Sequence, residues 1–172
     1  MQLLSTHDAP ALAPDAAHVL EGSHVRLAPL QLAHASQLQP WVDQGDDGFH
    51  ALITGPVDHG GSAVDYVRAL LASIETGNVH YAVESMRSGE LLGFTQLLFV
   101  EPHRRVLHIG GTWYAPHARS TAVNPECKAL LLEHAFVHCG FNRVQIQTDT
   151  TNTRSQRAIM RIGAMYEGLA RA

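Results

Sequence analysis

Lysine is almost absent from this 172-residue sequence, where Lys128 is the only one. Cysteine is scarce as well, with Cys127 and Cys139 alone. They fall in a segment that reads as one helix, about 18 Å apart at its 1.5 Å rise per residue. No disulfide joins residues so far apart, and a reducing, cytoplasmic setting is expected. Nothing approaches 18 consecutive apolar residues, so no membrane span and no membrane partner are expected. The first twenty residues lack a basic stretch followed by a long apolar one, which excludes a secretory signal of the usual kind. Their Pro and Ala content, with Asp8 and Asp15, reads as a flexible tail over residues 1–20, leaving residues 21–172 as one domain. A formal charge of −4 argues against a general nucleic-acid binder. Apolar residues make up 45% and charged residues 16%, which fits a folded chain with a real core rather than disorder or a coiled coil.

The charge is unevenly spread. Residues 1–101 hold twelve acids and three arginines, and residues 102–172 hold nine basic and four acidic residues. A basic second half suits an anionic ligand, although scattered surface charge gives the same count. The acidic first half suits a cationic acceptor, with selectivity expected in residues 40–65.

Alternation predicts a strand at His24–Leu30, and helical spacing predicts helices at Leu32–Val42 and Ser62–Thr76, with a glycine-rich loop between them. Three strand-like runs follow, Val79–Ser85, Leu91–Val100 and Val106–Tyr114, joined by short turns as in an antiparallel meander. Asn124-Pro125-Glu126 reads as a capped helix start, with the helix running to His138 or Cys139. A strand at Val144–Thr148, a helix at Asn152–Arg161 and a last strand at Met165–Ala170 complete the pattern. Together these predict an α+β fold in three layers, a mixed and mostly antiparallel sheet flanked by helices.

Three pieces of the second half carry chemistry. Ile109-Gly-Gly-Thr-Trp-Tyr114 is a strand whose glycines mark a bulge or close backbone approach. Pro116 to Asn124 is a loop of small residues entering a helix, where successive amides and the helix dipole favour an anion, and Arg119 adds a charge that forks onto phosphate. Asp149 to Ser155 ends a strand and opens a helix with hydroxyl and amide groups. His134 and His138 have an i, i+4 spacing that can grip zinc, but no third ligand is fixed by sequence, and a plain helix face is the expectation, with no metal.

With Val25-Arg26-Leu27-x-Pro29-Leu30, and with Asn152-x-x-Ser155-x-x-Ala158-Ile159-x-x-Ile162-Gly163-Ala164 followed by Glu167-Gly168, the chain resembles the GNAT (Gcn5-related) N-acetyltransferases over roughly residues 22–171. Within them it is most similar to the RimJ/RimL-like branch. The resemblance implies an acetyl-CoA-dependent transferase acting on a primary amine, such as a protein N-terminus or a small amine, by direct attack on the thioester. It implies an acetyl-CoA arm paired along Thr112, Trp113 and Tyr114. It places the diphosphate on Arg119, Ser120, Thr121, Ala122, Val123 and Asn124, with Asn152 on the pantetheine; Arg157 and Arg161 read as contacts of the 3′-phosphate or as plain surface charges. Ser155 stands where a group protonates the leaving thiolate. His108 replaces the glutamate that often precedes the Ile-Gly of this strand, and is a candidate general base or a cross-strand surface residue. Lys128 reads as a phosphate contact or a solvated side chain, and Glu126 as unfavourable near phosphate. The family loop carries glycines where Ala122 and Asn124 stand here. The family also continues past Glu-Gly into a further strand, so the last hairpin is expected to be incomplete and a homodimer is suggested. The alternative reading is a non-catalytic module that binds acyl-CoA.

Overall fold

A computed structural model describes residues 11–45 and 62–170. Six strands form one sheet in the order β1 (Leu20–Glu21), β2 (Val25–Pro29), β3 (Val79–Ser85), β4 (Leu91–Glu101), β5 (Val106–Tyr114) and β6 (Arg143–Gln145). Each neighbour pair up to β5 is antiparallel, and β6 joins β5 in parallel. The helices are α1 (Ala35–Asp43), α2 (Ala63–Ala72), α3 (Val123–Glu133) and α4 (Thr153–Arg161). The expected α+β architecture is therefore present, with one antiparallel meander and one parallel crossover.

Alternation along the strands builds the layers, since successive side chains point to opposite faces. Val25, Leu27, Tyr81, Val83, Leu97, Leu107 and Ile109 pack against Val123, Cys127, Leu131 and Ala135 on one face. Ala28, Ala82, Phe94 and Trp113 pack on the other against Leu38 of α1 and Tyr66 and Val67 of α2. Ser62 caps α2 by accepting the Asp65 amide at 3.1 Å, and Gly77, at φ +83°, stops the 3-10 turn that follows.

Several expectations are corrected. α3 begins at Val123 and is preceded by Ala122 in right-handed helical conformation, so Asn124 is a residue of the first turn and not its cap. The Thr121 hydroxyl takes the Val123 amide instead, at 3.3 Å. Beyond Glu133 the helix widens into one π turn, His134–His138. β6 is three residues long, shorter than the expected Val144–Thr148. No strand forms at Met165–Ala170, where Met165, Tyr166 and Leu169 are exposed. Within the stretch read as a tail, Ala11 is buried and donates to Pro102 O at 3.0 Å, and Leu12 donates to Cys139 O at 2.9 Å. The loop expected at Gly45–Ser62, and with it most of residues 40–65, lies outside the described residues.

Candidate functional site

β5 and β6 pair only from Val106 with Arg143 to His108 with Gln145. β5 then continues to Tyr114, while the chain after Gln145 leaves the sheet. The β5 edge beyond His108 therefore opens a gap. Because the two strands are parallel, their C-terminal ends lie at the same end of the sheet. One leads through residues 115–122 into α3, and the other through residues 146–152 into α4, so two helix N-termini flank the gap.

The glycine pair in β5 is a bulge. The β4–β5 register shifts between Gln96, opposite Gly110, and Phe94, opposite Trp113. Gly111 takes φ +51°, which favours glycine, and a Cβ there would stand 2.4 Å from Gln96 Nε2, so that carboxamide would have to shift. The extra residue exchanges the faces of the strand. Leu107 and Ile109 face α3 before it, and Thr112 and Tyr114 do so after it. Trp113 turns instead to Phe94 and Trp41, with ring centroids at 5.8 and 6.2 Å. Hence Thr112, Trp113 and Tyr114 bury or half-bury their side chains and present backbone to the gap. The Tyr114 phenol is buried beside Cys127, which holds it well above its ordinary ionisation range.

In the loop before α3, Ser120 rather than Ala122 adopts the left-handed conformation, at φ +61°. Ala122 stays at φ −67°, so the missing family glycine costs no strain there. The amides of Ser120, Thr121 and Ala122 have no acceptor among the described residues, and unpaired successive amides suit an anion. Arg119 lies across the end of β5, where Nε donates to Tyr114 O at 2.8 Å and the guanidinium sits 5.9 Å from the Trp113 ring. A cleft of about 430 Å³ lies on the β2–β4 side of the same loop, between His24, Arg87, His117 and Thr121.

Glu126 does not oppose this loop. Its carboxylate accepts the amides of Ser23, His24 and Val25 at 2.7, 2.8 and 3.0 Å, pinning the β1–β2 turn to α3. Burial raises its pKa, but these three amides and the His24 ring together bring it below the ordinary value of 4.5. Lys128 is neither solvated nor extended toward phosphate. It is buried, with Nζ 2.7 Å from Thr112 Oγ1 and 3.2 Å from Thr95 Oγ1.

On the α4 side, Asn152 caps the helix through its carboxamide oxygen, which accepts the Ser155 amide at 3.0 Å. The cap engages the oxygen and not the nitrogen of that carboxamide. The Ser155 side chain is half-buried at the first turn, and Arg157 is exposed. Gln156 ties the preceding loop, donating to Thr150 O at 2.9 Å and Asp149 O at 3.1 Å. Glu167 of the Glu-Gly pair forms a bidentate ion pair with Arg143 of β6.

His108 occupies the last paired rung before the gap, edge-on to Phe99 at 5.1 Å. The Gln145 carboxamide, oriented to satisfy both of its ends, donates to His108 Nε2 at 2.6 Å and accepts from Arg143 at 2.9 Å. The proton of a neutral ring in this arrangement sits on Nδ1. His134 stacks on His18 at 5.1 Å and lies 3.5 Å from Cys139 Sγ. Among the described residues no group of three or more His, Cys, Asp or Glu side chains is placed to hold a metal ion.

A family model described as an acetyltransferase (GNAT) domain matches residues 24–165. Among solved structures, a protein from Chromobacterium violaceum ATCC 12472, described as a probable acetyltransferase of the GNAT family, is similar at 26% identity with a TM-score of 0.80. The match covers 98% of this chain and 83% of that one. A protein from T. thermophilus, assigned as an acetyltransferase, is 31% identical with a TM-score of 0.71, over 88% of this chain and 77% of that one. The microcin C7 self-immunity acetyltransferase MccE, solved with acetyl-CoA and AMP, shares the fold at 12% identity and a TM-score of 0.69, over 86% and 82% of the two chains. No curated protein matches the chain.

Proposed function

The chain belongs to the GNAT acetyltransferase family, and on that premise we propose that it is an acetyl-CoA-dependent N-acetyltransferase of the RimJ/RimL-like type, acting on a protein N-terminus or a small primary amine. The observation that carries this reading is the parting of β5 from β6 between two helix N-termini. An extended pantetheine arm would lie along the exposed β5 edge at Thr112–Tyr114. The free amides of Ser120 to Ala122, with Arg119 and the first turn at Val123 and Asn124, would receive the diphosphate. The Asn152 nitrogen would hold the arm from the opposite side, and Arg157 would meet the 3′-phosphate. In the transfer the amine nitrogen bonds to the thioester carbon and the carbon–sulfur bond breaks. Ser155 would protonate the departing thiolate, and His108, released from Gln145, would take the proton of the amine.

We place the chain in a reducing compartment, which suits its two free buried thiols. We also propose a homodimer seamed along the outer edge of β6. A molecular mass in solution equal to one chain would remove that last element alone.

Calorimetric titration of acetyl-CoA into the parent chain and into Arg119→Glu tests the core of the reading. Micromolar binding by the parent, weakened roughly tenfold or more in the variant, is the expected result. Absence of binding by the parent would sink the reading. Binding without turnover across a panel of amines would leave a non-catalytic module. His108→Ala should lower kcat by about 10²-fold with little change in acetyl-CoA affinity, and an unchanged kcat would assign the base elsewhere.

A further inference from the structure

Three side chains from three elements meet beneath the β5 bulge. Lys128 of α3 reaches Thr112 of β5 and Thr95 of β4, whose hydroxyl oxygens stand 2.8 Å apart. Thr112 Oγ1 also lies 3.3 Å from Gly110 O. Thr112 faces the helix only because the bulge has exchanged the faces of the strand. The triangle thus sits directly behind the edge along which the donor arm is proposed to pair.

Among the described residues no carboxylate joins this cluster. Glu126, two residues away on the helix, is turned onto the Ser23–Val25 amides. The titratable neighbours are Cys127 on the same helix and Tyr114 on β5, and burial favours the neutral form of both. From β4 the facing group is Thr95, which carries no charge. A buried ammonium with two neutral acceptors has lost water without gaining a counter-charge, which disfavours the protonated state. Burial accordingly lowers the Lys128 pKa. What would restore that state is negative charge nearby. Lys128 follows Val123, the first residue of α3, by five residues, about 7.5 Å along the axis. The amide row proposed to seat the donor's phosphates lies just before Val123.

We propose that Lys128 is a positioning residue of the donor site, holding Thr112 and with it the β5 edge, and that its protonation is coupled to the arrival of the donor's phosphate charge. The proposal rests on the acetyl-CoA reading and extends it to a group behind the site. It predicts that donor binding draws a proton into the interior of the protein.

The scarcity of lysine makes the test direct. Growth of the untagged chain on lysine carrying ¹³C at Cε places one lysine resonance in the spectrum. Its chemical shift is followed against pH without donor and with saturating acetyl-CoA. The expected midpoint in the free chain lies below the ordinary lysine value of about 10.4. With acetyl-CoA it should rise by roughly one pH unit or more, as expected for opposite charge at this range and an intermediate dielectric. Coincident titrations, or a free-chain midpoint equal to that of an exposed lysine, would overturn the proposal. Lys128→Met and Thr112→Val add a second readout. Each should weaken acetyl-CoA binding roughly tenfold, and Lys128→Met should also flatten the pH dependence of the affinity. Unchanged affinity and unchanged pH dependence in a folded Lys128→Met chain would likewise overturn it. Where that variant does not fold, the titration of the parent decides. Failure of the parent to bind acetyl-CoA removes the donor reading and this proposal together, whereas binding with an unmoved lysine resonance removes this proposal alone.

Discussion

Gly93→Ala is expected to lower stability by about 3 kcal/mol, at the top of the usual range for forcing an atom into a packed interior. Gly93 lies in β4 opposite Tyr114, and a Cβ added there would stand 2.1 Å from Trp113 O and 2.9 Å from Tyr114 Cα. Both obstacles are backbone, so no side-chain rotation relieves them, and β4 must draw away from β5. The strain falls where Phe94 stacks on Trp113 and on the stretch of β5 proposed to pair with the donor. Thermal unfolding should fall by roughly 6–12 °C for a chain of this size, and acetyl-CoA affinity should fall with it. Gly89→Ala is the control. At φ +70° with nothing within 4 Å, it carries only the local cost of a left-handed residue, about 1–2 kcal/mol. A Gly93→Ala chain as stable as the Gly89→Ala chain would refute the close-approach argument.

Glu126→Ala should cost about 3 kcal/mol at neutral pH, because one carboxylate serves three backbone amides and charged acceptors are the stronger kind. The pH dependence identifies the cause. The folded pKa of Glu126 is depressed, so its contribution is fully present above the unfolded value and is lost as pH falls through the lower folded value. The stability gap between parent and variant, measured by urea unfolding, should therefore be large at pH 7 and shrink steadily below about pH 4.3. A gap that stays constant down to pH 3 would assign the loss to packing and not to the charge. The same variant frees the β1–β2 turn beside the loop, so donor affinity should weaken at pH 7 as well.

The strands were the most legible part of the chain. The limits of β3 and β5 follow from alternation ended by turn residues, and β4 runs one residue further than its pattern, to Glu101. The helix starts at Ser62 and Asn152 are legible in the sequence, whereas the capping bond of Asn152 emerges only in the structure. Asn124-Pro125 misled because proline is tolerated anywhere in the first turn, where amides lack helical partners, and so it does not fix which residue begins the helix. The run after Val144 is rich in β-forming residues, but it leaves β5 after Gln145, and strand propensity without a paired neighbour does not build a strand. The same holds for Met165–Ala170. The face exchange at the bulge was legible only as a glycine pair, and which side chains it turned toward α3 depends on the strand pairing. The burial of Lys128 has a signal in the sequence, since it lies three residues before Leu131 on the stripe that buries Cys127, Leu131 and Ala135.

The sole lysine, buried as it is, has a consequence for the protein as a chemical object. A catalyst of amine acylation works within reach of its own surface, where any exposed ε-amine competes with the intended acceptor. This surface offers none. Apart from Lys128, its permanently cationic side chains are eleven arginines, whose guanidinium groups stay protonated and are poor nucleophiles. Within this sequence, an acyl donor of the kind proposed would therefore meet no exposed ε-amine to acylate in place of the intended acceptor.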